Sequence, residues 1–176
     1  MPDLHLQKSV IIAGMDHVLR MTGALEPRSG WTADRCTIAR ALDVIPTRSA
    51  FLILREAFYG TTRFDDFAQR VGISEPATAS RLRELVDHGL LAREDYREPG
   101  QRTRQRYRLT DMGAELFPAL VALMQWGDRW LDDRGGPVEL RHRNCGEPVA
   151  VELRCAAGHT VGVDELDLAR RRHRHP

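Results

Sequence analysis

Three cysteines and seven histidines are the nucleophiles and soft metal ligands of this 176-residue chain. Cys36 opens a stretch, 36–44, in which Ile38, Ala41 and Leu42 fall at helical spacing. A thiol at a helix N-terminus meets the positive end of the helix dipole, which favours the reactive thiolate. Cys36 is therefore a candidate reactive thiol, with Arg35 and Arg40 near it in sequence. The competing reading is a small buried hydrophobe, since free cysteine is among the most buried residue types. His142-x2-Cys145 and Cys155-x3-His159 are two short pairs of the kind that bind zinc. Spacing argues against one shared ion. If 149–154 is a single strand, six residues at about 3.4 Å each hold the pairs roughly 20 Å apart. Sulfurs on one zinc lie within about 4 Å of each other. These four residues are kept as metal candidates against that geometry, needing a ligand from a partner chain or no strand there. The expectation is no metal and no cofactor.

Arginine offers a different chemistry. Residues 93–108 hold Arg93, Arg97, Arg102, Arg104, Arg106 and Arg108, with Glu94, Asp95 and Glu98 on the first half. Arg102, Arg104 and Arg106 alternate, so in a strand they share one face. Such a face can track a sugar-phosphate backbone, and an arginine at a hairpin tip can enter a narrow minor groove. A structural hairpin with a charge-protected edge is the alternative. Upstream, Ser74 is a good N-cap for a helix over 75–88. Its apolar face is Ala79, Leu82, Leu85 and Val86, which leaves Thr78, Ser80, Arg81 and Glu84 among the outward positions. Short hydroxyls and arginine reach base edges and phosphates in a major groove. An ordinary solvated helix face has the same composition. No catalytic set is visible. There is no Walker or Rossmann glycine pattern, and Asp65 and Asp66 are adjacent, so their side chains diverge. The chain is not expected to be an enzyme.

The elements that position these groups follow from periodicity. Pro46 suits the first turn of a second helix carrying Phe51, Leu52, Leu54, Ala57 and Phe58, which Gly60 ends. A third short helix spans 64–71, with Phe64, Phe67 and Ala68 inward, and Gly72 breaks it. After the helix over 75–88 the period changes from 3.6 to 2, giving strands over 91–96 and 106–109. Thr110 caps a long helix to about residue 131, which Pro118 should kink. Beyond the Gly135-Gly136-Pro137 linker, valines and leucines alternate between turn residues, the pattern of a small antiparallel β meander. This order of elements is that of a winged helix: mainly α with small β, a helix-turn-helix, a hairpin wing and a long helix for dimerisation.

Composition sets the bounds. Hydrophobic residues are 42% and charged residues 29%, as in soluble globular proteins. The net charge of +1 gives no bulk basic signal, so any nucleic-acid site must be local. Apolar runs fall far short of the about 18 residues of a membrane span. Residues 10–13 are too short for a signal peptide core, and three widely spaced cysteines do not make a secreted disulfide scaffold. A cytoplasmic protein is expected.

The chain also resembles the HxlR-type winged-helix regulators, a MarR-like group. The likeness is carried by Cys36-Thr-Ile-Ala-Arg-Ala-Leu, Phe51-Leu-Ile-Leu-Arg-Glu-Ala-Phe, Arg63-Phe-Asp-Asp-Phe, Gly72-Ile-Ser, Arg81-Leu-Arg-Glu-Leu, Tyr107-Arg-Leu-Thr and Trp126-Gly, in one order over about residues 33–131. It departs at Pro46-Thr-Arg-Ser-Ala, where the family's Gly/Glu-Lys/Arg-Trp segment is missing. The resemblance implies a homodimeric bacterial transcription factor that binds double-stranded DNA, dimerising through its N-terminal and long C-terminal helices. It also implies that Cys36 stands where several members sense oxidants or electrophiles. A small-molecule effector with an inert Cys36, and a winged helix that contacts protein instead of DNA, are the alternatives. The expected division is an arm over 1–30, within which Met21 is a candidate start. A winged-helix and dimerisation domain over 31–134, a β appendage over 135–168 and a basic tail over 169–176 follow.

Overall fold

A computed structural model describes residues 18–26, 36–97, 100 and 102–170. Most of the expected arm, Arg35 and the end of the basic tail lie outside the described residues. In chain order the elements are β1 (Arg20–Met21), α1 (Thr37–Val44), α2 (Arg48–Phe58), α3 (Phe64–Val71), α4 (Glu75–Asp87), β2 (Leu91–Tyr96), β3 (Arg104–Leu109), α5 (Asp111–Ala114), α6 (Phe117–Trp130) and β4 (Asp167–Leu168). They fall into two compact units: one spans 35–151, and the other joins 1–34 to 152–176.

The larger unit is a winged helix-turn-helix. Its core is Ile45, Ala50, Ile53, Leu54, Phe67, Leu82, Leu85, Leu90 and Leu91, drawn from α2, α3, α4 and the start of β2, with Ile45 from the turn before α2 and Leu90 from the turn before β2. Burying each large side chain here contributes about 1.5–3 kcal/mol. Ile53 is fully buried and is the centre of the α2 stripe. Pro46 lies just outside α2 instead of in its first turn. Thr47 is the N-cap and accepts a hydrogen bond from the Ala50 N–H at 3.1 Å. Gly72 ends α3 with φ of +70°, a left-handed conformation that only glycine adopts cheaply, and so makes the turn of the helix-turn-helix.

β2 and β3 pair antiparallel, with Leu91 opposite Leu109 and Tyr96 opposite Arg104. A third strand is reduced to one bridge, Arg63 with Arg106, beside a bond from the Tyr107 N–H to the Thr62 carbonyl at 2.8 Å. The Thr110 hydroxyl donates to the Gly89 carbonyl at 2.6 Å and accepts from the Gly113 N–H at 3.0 Å. This ties the wing to α5. Gly113 is buried there so tightly that a Cβ would stand 2.1 Å from the Leu90 carbonyl oxygen.

The single kinked helix expected over 110–131 is two helices. Proline at 118 cannot donate to the carbonyl of residue 114, so the chain turns at 115–116 and restarts, with Pro118 in the first turn of α6.

The alternating segment after Pro137 does not extend into a meander. In the larger unit its remnant is the Arg141–Pro148 bridge, and in the smaller unit the Arg154–Thr160 bridge. The smaller unit is built on β1 and β4, which pair parallel: Arg20 with Asp167 and Met21 with Leu168. Arg20 and Asp167 also form a two-pronged ion pair at 2.7 and 2.9 Å.

Candidate nucleic-acid interface

α4 is positioned at its start by Ser74, whose hydroxyl accepts from the Ala77 N–H at 3.4 Å, and by Pro76 in its first turn. Thr78 does not face outward as expected: four residues before Leu82 and seven before Leu85, it shares their buried face. It is fully buried, and its hydroxyl donates to the Ser74 carbonyl at 3.0 Å. The reason is local: a hydroxyl one turn into a helix satisfies itself on the carbonyl four residues back, so threonine enters a core at little cost. Thr78 is thus part of the helix's packing and cannot meet a ligand.

Ser80 and Arg81 are brought together, and both bind the same carboxylate. The Ser80 hydroxyl donates to Glu84 at 3.1 Å, and the Arg81 guanidinium forms an ion pair with it. Arg81 lies at a half-buried flank of the helix. Arg83, by contrast, is exposed. Sequence reasoning passed over Arg83, although its place about 100° round the helix from Leu82 and about 200° from Leu85 put it off the buried face at 3.6 residues per turn.

The wing arginines separate into two sets. Strand alternation puts Arg104, Arg106 and Arg108 on the face opposite Tyr107. Arg106 and Arg108 both donate to one Glu94 oxygen, at 2.9 and 3.0 Å, so one carboxylate offsets half of their combined charge. Arg102 and Arg104 are exposed, with no ion-pair partner among the described residues. On the Tyr107 face stands Arg93, which the site reading also missed. With Ala79, Arg83, Val86 and Asp87 of α4, Arg93 and Tyr107 line a cleft of about 310 Å³ between helix and wing.

Cys36 is the N-cap residue of α1 and is half-buried. It is followed by the exposed apolar side chains of Ile38 and Leu42. All three cysteines are free. His142 Nδ1 and Cys145 Sγ lie 3.0 Å apart in one exposed turn. In another turn, the Cys155 N–H donates to the His159 carbonyl at 3.0 Å. Among the described residues, no group of three or more His, Cys, Asp and Glu could hold a metal.

A second hollow, of about 200 Å³, lies along α6 between Trp126, Trp130, Arg129 and Val151. The Gln125 amide binds the chain beside it, donating to the Val149 carbonyl at 2.6 Å and accepting from the Val151 N–H at 3.0 Å. No helix of the described residues is long and apolar enough to cross a membrane.

Comparison with known proteins bears on this geometry. The family model for HxlR-like helix-turn-helix proteins matches residues 44–135. The chain is 46% identical over 120 residues to an uncharacterized HTH-type transcriptional regulator, Rv3095 of Mycobacterium tuberculosis, covering 68% of this chain and 75% of the relative. A regulator of the same description from Synechocystis, sll1512, is 33% identical over 102 residues, covering 57% and 74%. Among solved structures, PA1607, provisionally described as a transcription factor, superposes with a TM-score of 0.70 at 36% identity, covering 78% of this chain and 96% of that one. PA1374 of Pseudomonas aeruginosa, described in the same way, gives 0.57 at 31% identity, covering 80% and 95%.

Proposed function

This chain belongs to the HxlR-like helix-turn-helix family and is a winged-helix transcriptional regulator; from that premise we propose that it acts as a homodimer in the cytoplasm on pseudo-palindromic operator DNA. In this reading α4 enters the major groove, with Ser74 and Ser80 at its leading face and Arg81 released from Glu84 to reach DNA. The wing tip, through Arg102 and Arg104, follows the adjacent minor groove. Arg106 adds less, because it shares Glu94 with Arg108. A twofold dimer then sets half-sites about 34–36 Å apart or a multiple of that.

The observation that carries the dimer is the unpartnered apolar surface of two helices. Ile38 and Leu42 on α1, and Leu123, Trp126 and Trp130 on α6, are all more than half exposed. Patches of that kind mark association surfaces. Cys36 stands at the start of one of these helices, so its oxidation or alkylation is read as a switch that resets the distance between two recognition helices.

The test is binding to the chain's own upstream DNA, reduced and then treated with a mild thiol oxidant, together with the mass of the protein in solution. Tight, salt-sensitive binding by a dimer, altered by oxidant in the native chain and not in Cys36→Ser, is the expected result. Binding indifferent to oxidant retires the thiol switch and directs attention to the tryptophan-lined hollow beside α6 as an effector site. A monomer that ignores duplex at low salt overturns the reading and favours a protein-contact module.

A further inference from the structure

Two guanidiniums outside the set named above converge on one cleft. Arg83 projects from the outer face of α4, and Arg93 from the inner face of the wing. Both are exposed, and neither has an ion-pair partner among the described residues. Of the other described arginines of this region, Arg81 is tied to Glu84, and Arg106 and Arg108 to Glu94, while Arg102 and Arg104 likewise have no ion-pair partner among the described residues but do not line the cleft. The half-buried Ala79, Val86 and Tyr107 line the same cleft, so the two charges share it with partly apolar surface. One acid, Asp87, shares the cleft and opposes an anion there.

DNA geometry says what lies over this spot. A major groove and its neighbouring minor groove are separated by one sugar-phosphate strand. A helix seated in the first and a wing seated in the second must therefore pass that strand between them. On this protein the ground between them is the cleft, and guanidinium is the group best matched to phosphate. We propose that Arg83 and Arg93 form a phosphate clamp that holds the DNA backbone strand running between the recognition helix and the wing. The clamp rests on the DNA-binding reading above and deepens it. It positions the duplex without reading bases, because phosphates carry no sequence information.

The experiment measures the salt dependence of binding to two duplexes, the chain's own upstream DNA and an unrelated 30-base-pair duplex. The proteins compared are the native full chain, Arg83→Ala, Arg93→Ala, the double variant, both Arg→Lys variants and Asp87→Asn. Each lost phosphate contact should lower the magnitude of the log K against log salt slope by about 0.9. The double variant should therefore lose about 1.8, by the same additive rule, on both duplexes alike, with the preference between them unchanged. The Lys variants should keep most of the slope. Asp87→Asn, which removes the opposing charge, should tighten binding to both duplexes; it also keeps the test open if an Ala variant folds poorly. A double variant with native slope overturns the clamp while leaving the DNA-binding reading intact. If inorganic phosphate then binds the native chain saturably and not the double variant, the cleft is a small-anion site and the backbone assignment is wrong. A native chain that binds neither duplex retires both proposals together.

Discussion

Residues 45–91 and residues 138–168 both carry apolar side chains at regular spacing, and the outcome is opposite. In the first, Ile53, Phe67, Leu82 and Leu85 are completely buried. In the second, Val138 is 47% exposed and Leu153 59%. The difference lies in what each period can pack against. Three helices with period 3.6 present stripes to one another and to the base of the wing, so each apolar residue finds a layer. A period-2 stretch needs a sheet of three or more strands, or a covering helix, before its apolar face is buried. Here each hairpin-like turn closes with one bridge, and the alternation is left facing solvent.

Truncating one side chain from each region should give the widest separation. Leu82→Ala removes a fully buried residue of α4 and should cost about 2–5 kcal/mol, read by denaturant unfolding at fixed protein concentration. Leu153→Ala should stay within about 0.5 kcal/mol, as exposed substitutions do. A loss of more than about 2 kcal/mol at Leu153 would mean that the second region is buried against something, a second copy of the chain included. Next in size is Gly113→Ala. A methyl group cannot fit 2.1 Å from a backbone oxygen, so α5 must shift away from Leu90. The expected cost is about 1–3 kcal/mol, the range for overpacked cores. An unchanged melting temperature would show that the α5 junction yields freely.

Within the larger unit, what was legible in the sequence depended on how far a residue's fate was decided by its own turn of chain. The helix-turn-helix, the N-cap Ser74 and strand β2 followed from caps, glycines and period, because those signals are local. Pro118 was legible as a disturbance, but its missing N–H is equally compatible with a kink and with a restart, and the structure takes the restart, with Pro118 in the first turn of α6. The smaller unit was the least legible. Parallel pairing of β1 with β4 joins residues nearly 150 positions apart, and two-residue strands have no periodicity to read. At the candidate site, composition pointed to arginine and serine as types, and the choice among arginines needed the ion pairs. Glu84 and Glu94 decide which cations are matched: the Arg81–Glu84 pair was open to the i,i+3 rule, whereas Glu94 with Arg106 and Arg108 depended on the register of the hairpin.

Thr78 sharpens the point at modest cost. Thr78→Val removes a hydroxyl whose acceptor, the Ser74 carbonyl, keeps the Thr78 N–H at 2.9 Å. Stability should fall by about 0.5–1.5 kcal/mol, the net worth of one hydrogen bond. DNA affinity, measured by fluorescence anisotropy, should change by less than about twofold, since twofold is only about 0.4 kcal/mol. A tenfold loss of affinity without unfolding would restore Thr78 to the DNA-contacting face.

The smallest effect belongs to the smaller unit, where the Arg20–Asp167 pair supplements two strands of two residues each. The hydrogen bonds from Arg20 hold the Asp167 carboxyl below its ordinary range; partial desolvation opposes this, and the charge of Arg20 adds to it. A carboxyl depressed in the folded state stabilises that state above its ordinary pKa of about 4 and loses this contribution as pH falls through the lower folded value. Both side chains are exposed, so solvent and salt screen the pair strongly. The sensitive probe is therefore local: the Thr22 amide, which donates to the Leu168 carbonyl at 3.1 Å. Its protection from hydrogen exchange, corrected for the intrinsic rate, should weaken from about pH 6 to about pH 3 in the native chain. In Asp167→Asn it should be weak throughout, and 0.5 M salt should erase most of the difference between the two at pH 6, because that salt shortens the screening length to about 4 Å. Equal protection in both chains at neutral pH and low salt would mean that the strand pair is held by its backbone bonds alone.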